Sequence, residues 1–169
     1  MKVLVVGAGV IGTVYGAHLA AAGNTVSVLS HGPRTDEVVA GGLSARDVLG
    51  GGRARAETTV VPDASGDYDV VLVAVRSDQL ASACAGLAGL AGKPAIVFFG
   101  NNPAGRQSPA TCRAMSISGS PGVGGVMSGG TADYVRIRQQ PTALQETSDP
   151  RLAVLEAALS DRGFAVQRV

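Results

Sequence analysis

The sequence predicts an α/β fold: a mainly parallel sheet, doubly wound, with helices on both faces. Three observations carry that reading. Short β-branched runs without polar alternation recur along the chain, at Lys2–Val6, Asp69–Val75 and Ala95–Phe99, and such runs suit strands buried on both faces. Segments of good helix formers lie between them, which is the alternation of a parallel sheet. A β-α-β unit of about 30 residues opens the chain.

Taken in order, Lys2–Val6 is a strand stopped by Gly7. Val10 to Ala22 follows as a helix, with apolar positions at Val10, Val14, Leu19 and Ala22 and with Gly23-Asn24 to close it, residue types that tolerate a left-handed backbone. Thr25–Leu29 is the second strand. A short helix is expected over Asp36–Ala40, with its acids in the first turn, where the dipole favours them. Two short strands are expected between Leu43 and Val61, around Gly50-Gly51-Gly52. The Asp69–Val75 strand leads into a helix from Ser77 to about Leu90, then come strands at Ala95–Phe99 and Arg113–Ser118. Gly119 to Gly130 holds six glycines and reads, with Tyr134–Arg138 after it, as a loop and a β-hairpin. Asp149 caps the last helix, Pro150 stands at its first position and Gly163 lies just past its end. A final strand begins at Phe164.

Composition narrows the function classes. The 169 residues carry 14 basic and 13 acidic side chains, a net charge of +1. Residues 1–100 hold 7 cations against 8 acids, and residues 101–169 hold 7 against 5. Neither half is a basic arm, which argues against attachment to nucleic acid or to an anionic membrane by bulk electrostatics. Apolar residues make up 46%, enough for a core and too many for disorder. Charged residues make up only 16%, against ~25% in an average domain. Bias toward Ala, Gly and Arg explains that figure, and so does a surface covered by a partner or by a missing domain. Cys84 and Cys112 lack metal-site spacing and are expected as two separate buried thiols of a reducing cytoplasm. No metal site is expected. Only four apolar residues stand between Lys2 and Gly7, and the longest apolar run is Val70 to Val75. A signal peptide and a membrane span are therefore not expected, and a cytoplasmic protein is.

The chemistry-bearing motif is Gly7-Ala8-Gly9-Val10-Ile11-Gly12, a GxGxxG match. Alone it is weak, since a chain this rich in glycine yields about half a match by chance. Its place between strand and helix gives it content. There, Gly7 makes the tight turn, Gly9 lets a pyrophosphate approach the backbone, and Gly12 lets helix and strand pack closely. The free N–H groups of the helix start face the phosphates. Glycines serving a turn alone are the plain alternative. No GxxxxGK[ST], HExxH or GxSxG is present, and Tyr134 is followed four residues on by Arg138 rather than lysine. His18 reads as a packed or surface histidine.

An NAD site commonly sets Asp or Glu at the end of the second strand for the ribose 2′-OH. Here Ser30-His31 stands there and Arg34 follows, while Asp36 and Glu37 read as helix-start residues. A hydroxyl, an imidazole and a guanidinium suit a 2′-phosphate, so NADP is expected over NAD. Arg34 as a solvated loop residue is the alternative.

Lys2–Gly12, then Leu29-Ser-His-Gly-Pro-Arg34, then Tyr68–Gln79, Phe99-Gly-Asn-Asn-Pro103 and the glycine-rich Ser116–Gly130 stretch resemble the N-terminal half of the ketopantoate reductases (2-dehydropantoate 2-reductases). The resemblance implies a Rossmann-type domain over residues 1–169 and NADPH-dependent reduction of a 2-keto acid in pantothenate biosynthesis. It implies His31 beside the 2′-phosphate with Arg34 as helper, Arg76 where the family has a lysine near the cofactor, and Asn101 near the nicotinamide ribose and substrate. Asn102 and Pro103 depart from the family's Asn-Gly pair. The family's helical second domain, with its general-acid lysine, is expected to be absent from this chain, either cut off or supplied in trans by another chain, and a homo-oligomer is the alternative partner. A non-catalytic NAD(P)-binding sensor or regulatory module is the other hypothesis.

Overall fold

The computed structural model describes residues 1–100 and 116–169. Its main sheet has eight strands: β1 (Lys2–Val6), β2 (Thr25–Leu29), β5 (Thr59–Val60), β6 (Val70–Val73), β7 (Ala95–Phe99), β8 (Ser116–Ser120), β11 (Thr142–Leu144) and β12 (Val166–Arg168). Their spatial order is β12-β11-β8-β7-β6-β1-β2-β5. All neighbours run parallel except β8 and β11. From β1 the chain builds outward to β2 and β5, then returns to build β6, β7 and β8 on the other side. The reversal falls between β1 and β6. In open α/β sheets that switch point is where ligands bind, at the carboxyl ends of the strands.

Helices lie on both faces, as the sequence predicts. On one face α1 (Val10–Ala21) and α4 (Pro150–Ser160) share a core with Val3, Val5, Val97 and Phe99. On the other, Leu4, Val6, Val71 and Val73 pack with Leu87, Leu80 and Ala83 of the α3 (Leu80–Gly86) region. The single helix expected from Ser77 to Leu90 is instead a 3-10 turn, α3, and a second 3-10 turn at Leu87–Gly89. Gly86 and Gly89 break the run, because each costs about 1 kcal/mol relative to alanine inside a helix. The short helix after β2 is α2, Pro33–Gly41, longer at both ends than expected.

A second sheet, unseen in the sequence as a unit, has the order β4-β3-β10-β9. Its strands are β3 (Leu43–Asp47), β4 (Arg53–Ala56), β9 (Val123–Ser128) and β10 (Thr131–Arg136). The β3–β4 pair and the β9–β10 hairpin match the expectation; the sequence does not predict β5 as a third strand within Leu43–Val61, nor the union of pair and hairpin, with β3 parallel to β10. This sheet covers α1 from outside, with Leu43, Ala45, Ala132 and Tyr134 in the α1 core. It approaches closely because Gly16 has no side chain: a Cβ there would meet Leu43 Cδ1 at 2.6 Å. Enclosed between two sheets, α1 buries every residue from Gly12 to Leu19. Its amphipathic period is weak for that reason.

The α4 signals hold. The Asp149 carboxylate accepts from the Arg151 N–H at 3.0 Å, Pro150 opens the helix, and Leu152, Leu155 and Leu159 are buried. Gly163, at φ +78°, turns the chain toward β12, which begins at Val166 rather than Phe164. Cys84 is buried, whereas Cys112 and the start of the strand expected at Arg113 lie outside the described residues. No described helix is long and apolar enough to cross a membrane. Among the described residues no three His, Cys, Asp or Glu side chains cluster as metal ligands.

Candidate functional site

The site is built at the carboxyl end of β1. Gly7 leaves the strand at φ +95°, and its N–H donates to the Leu29 carbonyl of β2 at 2.9 Å. A Cβ on Gly7 would lie 2.7 Å from the Ala74 carbonyl oxygen just past β6. Gly7 therefore sits wedged between the two strands flanking β1, at the switch point. Ala8 is buried, and its carbonyl accepts from Thr13 Oγ1 at 3.1 Å and from Arg34 Nε at 2.9 Å. A Cβ on Gly12 would overlap the Gly7 carbonyl oxygen. Glycine is required at both positions by the fold itself.

Gly9 differs. It is the exposed, extended N-cap of α1, and a Cβ built on it meets nothing within 4 Å. No side chain caps the helix start and no acid stands in its first turn. The first N–H groups of a helix lack intrahelical partners and carry partial positive charge. An open cradle over such a start fits a pyrophosphate. Val10 and Ile11 are half-buried and pack against the core, which fixes the direction of the helix start.

Beyond β2, Ser30 is half-buried and His31 exposed. Arg34, in the first turn of α2, is only 17% exposed. Besides its bond to Ala8, its Nη2 donates to Thr13 Oγ1 at 3.2 Å, and its Nη1 donates to the Gly130 carbonyl at 3.2 Å and to Glu37 Oε2 at 2.6 Å. It is no solvated loop residue. Glu37, set aside in the sequence as a helix-start residue, belongs to this corner, since residues three apart share a face of α2. That i, i+3 spacing was the signal available.

On the other side of β1, Arg76 follows β6 and its side chain is 76% exposed. Its Nε and Nη2 donate to Asp78 Oδ1 and Oδ2 at 3.1 and 2.9 Å. These hydrogen bonds hold the Asp78 carboxyl below its ordinary range and the Arg76 guanidinium above its own. Asn101 lies outside the described residues. His18 is away from this corner and packed, as expected. Its Nε2 is 2.8 Å from the Tyr134 hydroxyl and its ring meets Phe164 edge-on. Burial, then the charges of Arg162 and Arg136, pull its pKa down to about 4.

A doubly wound sheet with a glycine corner and an uncapped helix at its switch point defines a Rossmann-type domain. Residues 3–132 match the family model of ketopantoate reductase PanE/ApbA, and the chain belongs to that family. Among solved structures, it is similar to a PanE/ApbA family ketopantoate reductase from Ralstonia eutropha JMP134, at 25% identity and a TM-score of 0.80 over 100% of this chain and 56% of that one. It resembles 2-dehydropantoate 2-reductase from Methylococcus capsulatus at 24% identity and a TM-score of 0.79, over 100% and 57%. A D-mandelate dehydrogenase solved with NADH and anilino(oxo)acetate shares the fold at 16% identity and a TM-score of 0.74, over 100% and 57%. The chain thus spans less than three-fifths of the length of these three structures. A search of curated proteins returns no match.

Proposed function

We propose that residues 1–169 are the NADPH-binding part of an oxidoreductase that reduces a 2-keto acid such as 2-dehydropantoate. The observation that carries this reading is the open space over Gly9 at the uncapped start of α1, placed at the switch point. The Gly7–Gly12 backbone would hold the pyrophosphate. Ser30, His31 and Arg34 would face the adenosine ribose, where Ser30 to Arg34 offers no carboxylate to repel a 2′-phosphate. Arg76 would stand on the nicotinamide side, with Asn101 to orient the nicotinamide ribose and substrate. Bound NADPH would supply the hydride.

Reduction builds negative charge on the keto oxygen, and a positioned general acid is worth ~10²–10⁴-fold in rate. Neither Arg76 nor Asn101 suits that role: an arginine does not release its proton near neutral pH, and an amide is not an acid there. We therefore assign the general acid and one wall of the substrate cleft to a helical domain outside residues 1–169, joined in cis or supplied by another chain. Cytoplasmic location and a role in pantothenate biosynthesis follow from this reading.

Calorimetric titration of the 169-residue chain tests it. NADPH is expected to bind more tightly than NADH, and equal affinities would count against the NADP assignment. Ketopantoate-dependent NADPH oxidation is expected to be negligible until a helical domain is restored. Ordinary reductase turnover by the chain alone would overturn the division of labour. Tight cofactor binding with no turnover even after restoration would favour the sensor reading.

A further inference from the structure

Arg34 is bonded to three segments distant in sequence: the Ala8 loop, the first turns of α1 at Thr13, and the β9–β10 turn at Gly130. A guanidinium has five N–H donors. Four of them are directed at acceptors of this chain, with Glu37 as the fourth. One Nη2 hydrogen remains. Arg34 is thus first a pin that fixes the phosphate loop against the second sheet, and only secondly a cation offered to a ligand.

Glu37 decides how much of that cation a ligand meets. Its carboxylate sits 2.6 Å from Nη1, is 51% exposed, and lies beside the corner at which a 2′-phosphate would arrive. We propose that Glu37 sets the cofactor selectivity of this site, restraining the preference for a phosphorylated over an unphosphorylated ribose. The proposal rests on the dinucleotide reading above. Two effects act in the same direction. Glu37 neutralises the nearest guanidinium N–H, and its charge repels a phosphate dianion across a short distance. A ribose 2′-hydroxyl carries no charge and is indifferent to the second effect.

Replacing Glu37 separates the charge from the pin. In Glu37→Gln the amide oxygen still accepts from Nη1, so Arg34 stays in place while the negative charge is gone. Calorimetry with NADPH and NADH on the 169-residue chain is expected to show NADPH affinity rising about five- to tenfold with NADH within twofold of wild type. Glu37→Lys is expected to raise the NADPH-to-NADH ratio further, an ordering that a purely structural role would not produce. Arg34→Ala removes the pin and is expected to weaken both dinucleotides, whereas a simple phosphate ligand would lose only NADPH. Glu37 is half exposed, so circular dichroism should show both Glu37 variants folded. An unchanged NADPH-to-NADH ratio in Glu37→Gln and Glu37→Lys overturns the selectivity role while leaving the dinucleotide reading intact. Failure of the wild-type chain to bind either dinucleotide overturns both.

Discussion

The two strands that flank β1 hold their arginines in opposite ways. Past β2, Arg34 is nearly buried and tied to three chain segments and a carboxylate. Past β6, Arg76 stands in solvent and its ion pair is with Asp78, two residues on. An exposed pair of that kind contributes little, because water and salt screen it and side-chain entropy opposes it. The first side is organised before a ligand arrives, which lowers the ordering cost of binding. The second side has no comparable frame among the described residues. On the reading proposed above, cofactor recognition is therefore written into this part of the chain more completely than the chemistry at the substrate end.

The contrast is broken most severely at the glycines of the pinned side, and two of them should fail differently. Gly12→Val forces a side chain into the Gly7 carbonyl, a backbone clash with no flexible neighbour to yield. It should cost more than about 4 kcal/mol or prevent folding, read by urea denaturation or by loss of soluble protein. Gly9→Val meets open space and should leave the melting temperature near wild type. It should nevertheless weaken NADPH by at least about a hundredfold, because the side chain fills the place proposed for the pyrophosphate. A Gly9→Val protein that binds normally would place the phosphate loop elsewhere.

The pinned side was also the more legible in the sequence. Gly7, Gly9 and Gly12 are local features, each read from its neighbours, and the β1-α1-β2 boundaries fell within a residue of expectation. The second sheet was not legible, because its β3–β10 pairing joins Leu43–Asp47 to Thr131–Arg136. No short-range pattern specifies a parallel pairing across so many intervening residues. Glu37 was missed for a related reason: helix-start acids are common, and the i, i+3 spacing to Arg34 gives the shared face but not the contacts of the placed Arg34 side chain. Asn101 lies outside the described residues, so its role rests on the family resemblance.

A smaller effect is expected where α1 carries its buried polar groups. The Tyr15 hydroxyl lies 2.6 Å from Thr142 Oγ1 and accepts the Gly122 N–H at 3.0 Å, and burial pushes its pKa up to about 12. Tyr15→Phe strands both partners without changing volume much. It should cost about 1–3 kcal/mol in urea denaturation, with the dinucleotide affinity little altered. An unchanged midpoint would mean that water satisfies those partners.

His18 gives a pH-dependent counterpart. Its pKa is depressed to about 4 in the folded chain, against about 6.5 when unfolded. Above pH 6.5 both states are neutral and His18 imposes no penalty. As pH falls from 6.5 toward 4 the unfolded chain takes up a proton that the folded chain refuses, so stability falls. The slope approaches but does not exceed about 1.4 kcal/mol per pH unit. Urea denaturation across that window should show His18→Gln losing less stability than wild type. Parallel pH profiles would mean that the ring is protonated in place.

The smallest effect belongs to the open side. Arg76 and Asp78 are both exposed and bonded to each other, so Arg76→Gln should leave the melting temperature unchanged. If the guanidinium stands near the cofactor as proposed, NADPH affinity should fall about threefold, the modest loss expected of a solvent-screened contact. Asp78→Asn should move affinity the other way, because it frees Arg76 from its competing partner. This sign reversal between neighbouring substitutions is the sharpest check available on that side. A dinucleotide affinity that responds to neither change would leave Arg76 as a surface residue, and the nicotinamide end would then depend on groups beyond this strand.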